Sequence, residues 1–565
     1  MAVNGEWVLD NNESITLGKN GETTLYTPEQ NKSITTGGHK MDFVDVSSVN
    51  VEAGSRNVIS VNVGEDIGYG VLGNGNTVIT VDGTRNGSAP EISDTSLNLQ
   101  GFLRIKELNI AGNAVVTLSP GMFMNGDMDH DLAGKEGTEK SAGVCIGEIN
   151  LGYGSLILNN GDGFLFDNGY WDPAKTDTSQ VGDAVSGNEG YTLNVTHDKA
   201  YIQIGSNMRT KWALINGAVN GEYHSLTVGG QAREFNITKI TGIKDLTLQG
   251  GQFNMAGTGT QFNIKNVERS VHGNFTIDHA ASVFVEGNNI MAEGSGQIAV
   301  SGNLDIKNST QTLTGSNSIH LDDGYIGGAN TSDITTDGLQ LKSSTDGDNT
   351  VELTYTGMTN RIGADINVES KVLFSTMSTT PGDEVRDMLT LSGYLSGGGD
   401  VTMSGSGMVV IASANEAFTG SVTVGEGSSL SLNNVHSLSQ ASGVTISKDS
   451  YLYLNTDGLF PVELQKLHLG DGATLAVESL PASLTVNAKQ AALSAGEITF
   501  ASAGSIDVMF NDVLRTMQVY NVFAADNAVA IDGQSDINFY MTNALGERVK
   551  FDNAHYVAGS SFVDG

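Results

Sequence analysis

Cysteine and proline are scarce in this chain of 565 residues, which contains one cysteine and seven prolines. Because Cys145 is alone, no disulfide can form within the chain. It lies in the apolar stretch 143–147, where we expect it to be buried as a small hydrophobic side chain. A chain that crosses an outer membrane unfolded would be hindered by premature disulfides, so the lack of cysteine is compatible with secretion.

Basic residues and long apolar runs are also few. Lysine and arginine number 29 against 64 acidic residues, giving a formal net charge of −35 that disfavours nucleic acid and anionic lipid surfaces as partners. No apolar run approaches a transmembrane span. Residues 1–7 lack a signal-peptide pattern, and the C-terminal end lacks a series of long amphipathic membrane strands. If the protein is exported, we therefore expect its signal peptide and membrane anchor to lie outside this sequence.

Glycine, asparagine, serine and threonine are abundant and alternate with valine, isoleucine and leucine, which favours strands and tight turns over long helices. A short unit, apolar then polar then apolar, recurs about every 20 to 45 residues. Its copies are Leu108-Asn-Ile110, Ile149-Asn-Leu151, Leu193-Asn-Val195, Leu226-Thr-Val228, Leu246-Thr-Leu248, Phe275-Thr-Ile277 and Leu304-Asp-Ile306. Strands this short bury one face and must stack on neighbours. The pattern predicts an all-β fold, a parallel β-solenoid with roughly 20 to 25 residues per turn, rather than immunoglobulin-like domains.

Stretches where this recurring unit is absent or changes in composition predict that the chain has three regions. Residues 1–385 would form an N-terminal β-helix with loops projecting near 121–142 and 167–190. Residues 386–500 would form a glycine-rich solenoid of β-strand repeats. Residues 501–565 are richer in large apolar side chains, which predicts a C-terminal β cap that closes the solenoid.

One segment carries a family pattern. Residues 415–424 read Asn-Glu-Ala-Phe-Thr-Gly-Ser-Val-Thr-Val, and Ser429-Leu-Ser-Leu432 follows. Together with the glycine-rich residues 391–405, this segment resembles the autotransporter-associated β-strand repeat. The resemblance implies a right-handed parallel β-helix that is displayed on, or released from, Gram-negative cells and acts in adhesion, aggregation or biofilm formation. It also implies an outer-membrane barrel in the full-length precursor.

The acidic loop 125–136 is the first candidate site, for calcium. Its oxygen ligands would be Asn125, Asp127, Asp129, Asp131 and Glu136. Asn125 and Glu136 occupy the first and twelfth positions of an EF-hand-like spacing, but the sixth position is His130 instead of glycine. A bound calcium ion and a solvated acidic loop are the two alternatives.

The second candidate site lies in the loop 167–190. Tyr170 and Trp171 could offer flat apolar faces to a sugar ring, and the carboxylate of Asp172 could accept hydrogen bonds from its hydroxyls. The alternative is that these rings form a small satellite core that anchors the loop.

The sequence contains fragments of catalytic motifs but no complete set. Residues 104–106, 272–273 and 322–323 resemble parts of a pectin-hydrolase site, in reversed order and too widely spaced. No Gly-Asp-Ser-Gly motif occurs, and the ten histidines are dispersed singly.

We therefore predict a non-catalytic surface protein with no catalytic residues and no cofactor beyond calcium at the acidic loop. Its expected partners are host or environmental glycans, matrix proteins or further copies of itself. A glycan-active lyase or hydrolase and a structural component of a surface layer or appendage are the alternatives.

Overall fold

The structure is a computed structural model. It describes residues 6–8, 13–17, 21–26, 33–36, 39–44, 46–62, 71–73, 76–84, 95–119, 144–158, 163–165, 191–206, 211–214, 217–231, 234–237, 239–250, 260–278, 281–292, 296–307, 310–313, 317–328, 338–341, 350–376, 387–478, 491–501, 504–510, 522–525, 535–542 and 547–550. These residues contain no helix, and so none that is long and apolar enough to cross a membrane. The chain divides into two compact units, Met1–Ala292 and Glu293–Gly565.

The described part of the first unit consists of short strands and turns. Its strands are β1 (Glu6–Val8), β2 (Glu13–Leu17), β3 (Gly21–Tyr26), β4 (Ser33–Thr36), β5 (His39–Val44), β6 (Val46–Val51), β7 (Arg56–Asn62), β8 (Val71–Leu72), β9 (Val78–Asp82), β10 (Ser96–Gln100), β11 (Phe102–Ala111), β12 (Ala114–Ser119), β13 (Val144–Leu151), β14 (Gly154–Leu158), β15 (Gly163–Leu165), β16 (Tyr191–Val195), β17 (Ala200–Ser206), β18 (Lys211–Leu214), β19 (Gly217–Asn220), β20 (Leu226–Gln231), β21 (Glu234–Ile237), β22 (Ile240–Thr241), β23 (Leu246–Leu248), β24 (Thr260–Glu268), β25 (Phe275–Ile277) and β26 (Ala281–Asn288).

Apart from β4, which pairs antiparallel with β5, these strands form three parallel ladders that the chain visits in turn. Ladder N1 is β1, β3, β7, β10, β12, β14, β17, β20, β23 and β25. Ladder N2 is β5, β8, the first part of β11 and of β13, then β15, β18, β21, β24 and β26. Ladder N3 is β2, β6, β9, the last part of β11 and of β13, then β16, β19 and β22. From β3 to β23, each turn therefore runs through N1, N2 and N3 before it returns to N1.

The second unit repeats this design. Its strands are β27 (Gly296–Val300), β28 (Asn303–Lys307), β29 (Thr310–Leu313), β30 (Asn317–Asp322), β31 (Tyr325–Gly328), β32 (Gly338–Leu341), β33 (Val351–Thr356), β34 (Asn360–Ile362), β35 (Ile366–Val368), β36 (Val372–Thr376), β37 (Met388–Leu391), β38 (Leu395–Ser396), β39 (Val401–Ser404), β40 (Met408–Ile411), β41 (Ser421–Val424), β42 (Ser429–Leu432), β43 (Gly443–Ile446), β44 (Tyr451–Leu454), β45 (Val462–Leu469), β46 (Thr474–Val477), β47 (Leu493–Phe500), β48 (Gly504–Phe510), β49 (Phe523–Ala525), β50 (Ser535–Thr542) and β51 (Arg548–Lys550).

Three parallel ladders again organise these strands. Ladder C1 is β27, β30, β33, β36, β39, β41, β43, β45, β47 and β49. Ladder C2 is β28, β31, β34, β37, β40, β42, β44, β46, β48 and β50. Ladder C3 is β29, β32, β35 and β38. The parallel pairing continues across residues 386 and 500, so the predicted regional boundaries and the cap stay predictions; the last described pair, β50 with β51, is antiparallel.

The alternation in the sequence sets which side chains enter the core. All seven predicted units lie in strands, and their apolar end residues are at most 2% exposed. In ladder N1, for example, Leu246 pairs with Leu226 on one side and Phe275 on the other. Burial of each such side chain contributes about 1.5 to 3 kcal/mol. The predicted all-β parallel solenoid is thereby confirmed.

Where the chain passes from one ladder to the next, backbone N–H groups no longer pair with a neighbouring strand and need other acceptors. Acidic side chains supply them: Asp323 Oδ1 accepts from the Thr359 backbone N–H at 2.9 Å, and Asp471 Oδ1 accepts from the Ser505 N–H at 3.0 Å. These carboxylates therefore hold one turn to the next.

The motif that carries the family resemblance also builds a corner. The Asn415 side chain is 1% exposed; its Oδ1 accepts from the Leu395 N–H at 2.7 Å and its Nδ2 donates to the Ser437 carbonyl at 3.0 Å. Phe418 is fully buried, and a Cβ added at Gly420 would lie 1.8 Å from a backbone oxygen of the preceding turn. The Asn-x-x-Phe-Thr-Gly pattern thus reflects packing requirements of a solenoid corner.

Candidate functional site

Both sites predicted from the sequence lie outside the described residues. This applies to the calcium ligands Asn125, Asp127, Asp129, Asp131 and Glu136 and to the sugar-binding group Tyr170, Trp171 and Asp172, and equally to the loops 121–142 and 167–190. Both sites stay predictions. Within the ranges that the structure describes, no group of three His, Cys, Asp or Glu side chains is placed to hold a metal ion.

Polar and aromatic side chains gather along one corner of the first unit, where ladder N3 leads into ladder N1. Consecutive turns contribute the segments 152–153, 196–199, 221–225, 242–245 and 269–274. We name the corner ridge by its side chains: Tyr153, His197, Asp198, Lys199, Tyr223, His224, Lys244 and His272. Since neighbouring strands lie about 4.8 Å apart, the corner ridge extends over about 19 Å.

Two pairs of aromatic rings lie on the corner ridge, one in its first and second turns and one between its third and fifth turns. The rings of Tyr223 and His272 have centroids 4.5 Å apart at an interplanar angle of 31°. The rings of Tyr153 and His197 lie 5.2 Å apart, and the Lys199 ammonium is 5.1 Å from the Tyr153 centroid. Tyr223 is 64% exposed, so a large apolar surface faces solvent here. Each tyrosine is supported by an imidazole from another turn, which limits its rotamer freedom.

A carboxylate ties together three turns in the middle of the corner ridge. Asp198 accepts from the Ser225 backbone N–H at 3.2 Å and lies 3.4 Å from both His224 Nδ1 and Lys244 Nζ. The hydrogen bond from Ser225 is the main cause that lowers the pKa of Asp198 below its ordinary value of 3.8, and Lys244 and His224 act in the same direction against partial desolvation. These exposed ion pairs add little stability. Their effect is to fix the positions of an imidazole and an ammonium group.

The backbone at the centre of the corner ridge is strained. Glu222 and Tyr223 have φ values of 44° and 67°, in the left-handed region that costs about 1 to 2 kcal/mol per residue for ordinary side chains. At the corresponding corner after β11, Gly112 and Asn113 take φ values of 60° and 63°, and these residue types tolerate that conformation. Core packing does not require the exposed ring of Tyr223. Strain held at an exposed aromatic residue points to a functional role.

An asparagine ladder lies beside the corner ridge on the outer side of ladder N3. Asn150 Nδ2 donates to Asn109 Oδ1 at 2.9 Å, Asn194 donates to Asn150 at 2.9 Å, and Asn220 donates to Asn194 at 3.5 Å. Each bond contributes about 0.5 to 1.5 kcal/mol. Because Asn220 directly precedes the corner segment 221–225 and Asn194 lies two residues before residue 196, this ladder holds the strand ends that present the corner ridge.

This site was not predicted from the sequence, because the ten histidines are dispersed singly along the chain. His197, His224 and His272 come together because their turns stack, although they are far apart in sequence. A signal was present: His197 follows the unit Leu193-Asn-Val195, and His224 and His272 come just before the units that begin at Leu226 and Phe275. Aligning the corners next to these units would have placed all three on one line.

The chemistry of the corner ridge suits binding. The Asp198 carboxylate is already engaged by several donors, so it is poorly placed to act as a general base. His197 Nδ1 accepts from the Lys199 backbone N–H at 3.2 Å, which leaves the Nε2–H of the neutral ring as a donor for another molecule. Comparison of the chain with family models, curated proteins and solved structures found no match. The interpretation of the site therefore rests on its own geometry.

Proposed function

We propose that this chain is a non-catalytic passenger of the autotransporter type that acts at the bacterial surface or outside the cell in adhesion or cell–cell aggregation. The observation that carries the proposal is the corner ridge, which presents an exposed tyrosine, imidazoles and ammonium groups along a stack of hydrogen-bonded turns. The resemblance of residues 415–432 to the β-strand repeat supports the location.

Repetition is the physical reason that a solenoid corner suits adhesion. Every turn adds its corner side chains at a fixed spacing, so an extended ligand meets several weak contacts at once. The bonds between turns hold these side chains in place before binding, which reduces the entropy lost on association. Exposed contacts of modest individual strength can then add up to firm attachment.

The test uses beads that carry the full chain. We expect them to adhere to surfaces coated with glycans or matrix proteins, or to aggregate with one another, and we expect Tyr223→Asn to weaken this behaviour. Asparagine tolerates the positive φ at this position, so the variant should fold. Tyr394→Asn is the matched control, because Tyr394 is an exposed tyrosine, 43% accessible, of the second unit.

Three results would contradict the proposal. If the beads neither adhere nor aggregate, the proposed role in adhesion or aggregation is wrong. Equal adhesion by the Tyr223→Asn variant and the wild type would mean that adhesion does not depend on Tyr223 of the corner ridge. Shortened glycan chains recovered after incubation would favour the glycan-active enzyme instead.

A further inference from the structure

We infer that the corner ridge binds saccharides that carry a carboxylate, such as uronate- or sialate-containing oligosaccharides; this inference rests on the proposed function and names its ligand. The sugar ring would stack on Tyr223, and the carboxylate would be bound by Lys199 and the neighbouring imidazoles.

The distribution of charge argues for an acidic ligand. The chain has a formal net charge of −35, yet on this one corner the cations Lys199, Lys244 and Arg269 equal the carboxylates Asp198, Glu222 and Asp245 in number, and three histidines lie beside them. Asp245 accepts hydrogen bonds from the Asn274 N–H and the Ser225 hydroxyl. The carboxylate of Asp198 is occupied by the Ser225 N–H, His224 and Lys244. Among the described residues no carboxylate pairs with Lys199, whose ammonium lies at the Tyr153 ring. A cation placed in this way can accept a ligand carboxylate.

The tyrosines argue for a sugar. Tyr223 is 64% exposed and is braced by His272 at 4.5 Å, so its ring offers an apolar surface to the C–H groups of a pyranose. Tyr153 lies two turns away, about 10 Å along the stack, so a short oligosaccharide can contact both rings. The Nε2–H of His197 is a further hydrogen-bond donor between them.

Other ligand classes fit less well. A neutral sugar would use the rings but leave Lys199 without a role. A nucleic acid carries a charge on every phosphate and needs many cations, which a chain with 29 basic and 64 acidic residues does not provide. An acidic saccharide combines a stacking surface with a carboxylate and matches both features of the corner ridge.

The binding experiment measures affinity by calorimetry for the full chain with two ligand pairs. Tetragalacturonate is compared with its carboxyl-reduced form, and sialyllactose with lactose; the pairs distinguish uronate from sialate as the source of the carboxylate. We expect at least one acidic member to bind about tenfold or more tightly than its neutral partner, and the affinity to fall as salt screens the charge.

Variants locate the site. We expect Lys199→Gln and Tyr223→Asn each to weaken binding of the acidic ligand about tenfold or more, and Lys199→Gln to leave any weak binding of the neutral partner unchanged. Lys466→Gln, at an exposed lysine of the second unit paired with Glu497 at 3.4 Å, and Tyr394→Asn are the matched controls and should bind like the wild type. Circular dichroism of every variant checks the fold.

The outcomes separate the inference from the proposed function. If neutral and acidic partners bind equally, or neither binds while bead adhesion still depends on Tyr223, the inference is wrong and the proposed function stands. If no saccharide binds and Tyr223→Asn leaves bead adhesion unchanged, both are wrong. Equal losses in the control variants would also overturn the assignment of the ligand to this corner.

Discussion

Replacement of Asn415 by alanine should destabilise the second unit locally and strongly. The change removes the acceptor for the Leu395 N–H and the donor to the Ser437 carbonyl, both of them buried bonds at a side chain that is 1% exposed. A buried polar group without a partner costs about 1 to 3 kcal/mol, so two such groups cost about 2 to 6 kcal/mol. In a solenoid, each turn depends chiefly on its neighbours, so the loss should be confined to nearby turns.

Amide hydrogen exchange measures this loss turn by turn. A local destabilisation of about 4 kcal/mol raises the exchange rate of protected amides about a thousandfold. We expect that increase in peptides that contain Leu395 and Ser437 and no change in peptides from Met1–Ala292. Asn455→Ala, at an exposed asparagine of the same unit, is the control and should change stability by no more than about 0.5 kcal/mol. Unchanged exchange at Leu395 in Asn415→Ala would refute the reasoning.

A second variant tests the role of the amide hydrogens. Asn415→Asp keeps the acceptor for the Leu395 N–H but places a carboxylate against the Ser437 carbonyl, where burial disfavours the charged form. Protonation removes the charge and restores a donor, so the stability of this variant relative to the wild type should rise as the pH falls. A relative stability that does not change with pH would contradict this explanation.

Further predictions concern a close approach, the asparagine ladder and the acid behaviour of the corner ridge. Gly420→Ala should lower the free energy of unfolding by about 3 kcal/mol, because its Cβ would lie 1.8 Å from the Gly399 oxygen. Gly427→Ala, with no atom within 4 Å of the added Cβ but a φ of 76°, should lose only about 1 kcal/mol; equal melting temperatures would contradict this ranking. Asn150→Ala should increase hydrogen exchange in the adjoining turns by about fivefold to tenfold, the effect of about 1 kcal/mol, and an unchanged rate would count against the ladder. Because its folded-state pKa is lowered, the contacts of Asp198 should persist below pH 3.8 and be lost only as the pH falls through that lowered value; a midpoint at or above 3.8 in a carboxyl NMR titration would refute this.

The fold could be predicted from the sequence because alternation encodes which face of a strand is buried. The unit Leu246-Thr-Leu248 shows this directly: both leucines are fully buried, and the threonine faces outward. Short strands of this kind can form a core only by stacking, which makes the parallel solenoid the natural outcome. The length of each connection was harder to predict, because the number of residues between successive strands varies from turn to turn.

The corner ridge could not be predicted in the same way, because its neighbours are set by stacking rather than by sequence distance. Tyr223 and His272 form a ring pair although they come from different turns. The positive φ of Tyr223 has no sequence signal, since glycine and asparagine usually occupy such positions. Asn415 was recognised only as part of a family pattern, and its role as a buried link between turns depends on its hydrogen bonds.

The most direct test of the corner ridge is histidine-selective NMR of the full chain, which has ten histidines, during titration with tetragalacturonate and sialyllactose. We expect chemical-shift changes at His197, His224 and His272. His320 and His468, which each lie within hydrogen-bonding distance of a threonine hydroxyl in the second unit, should not change. Shifts confined to the second unit, or binding without any shift at the corner ridge, would contradict the account.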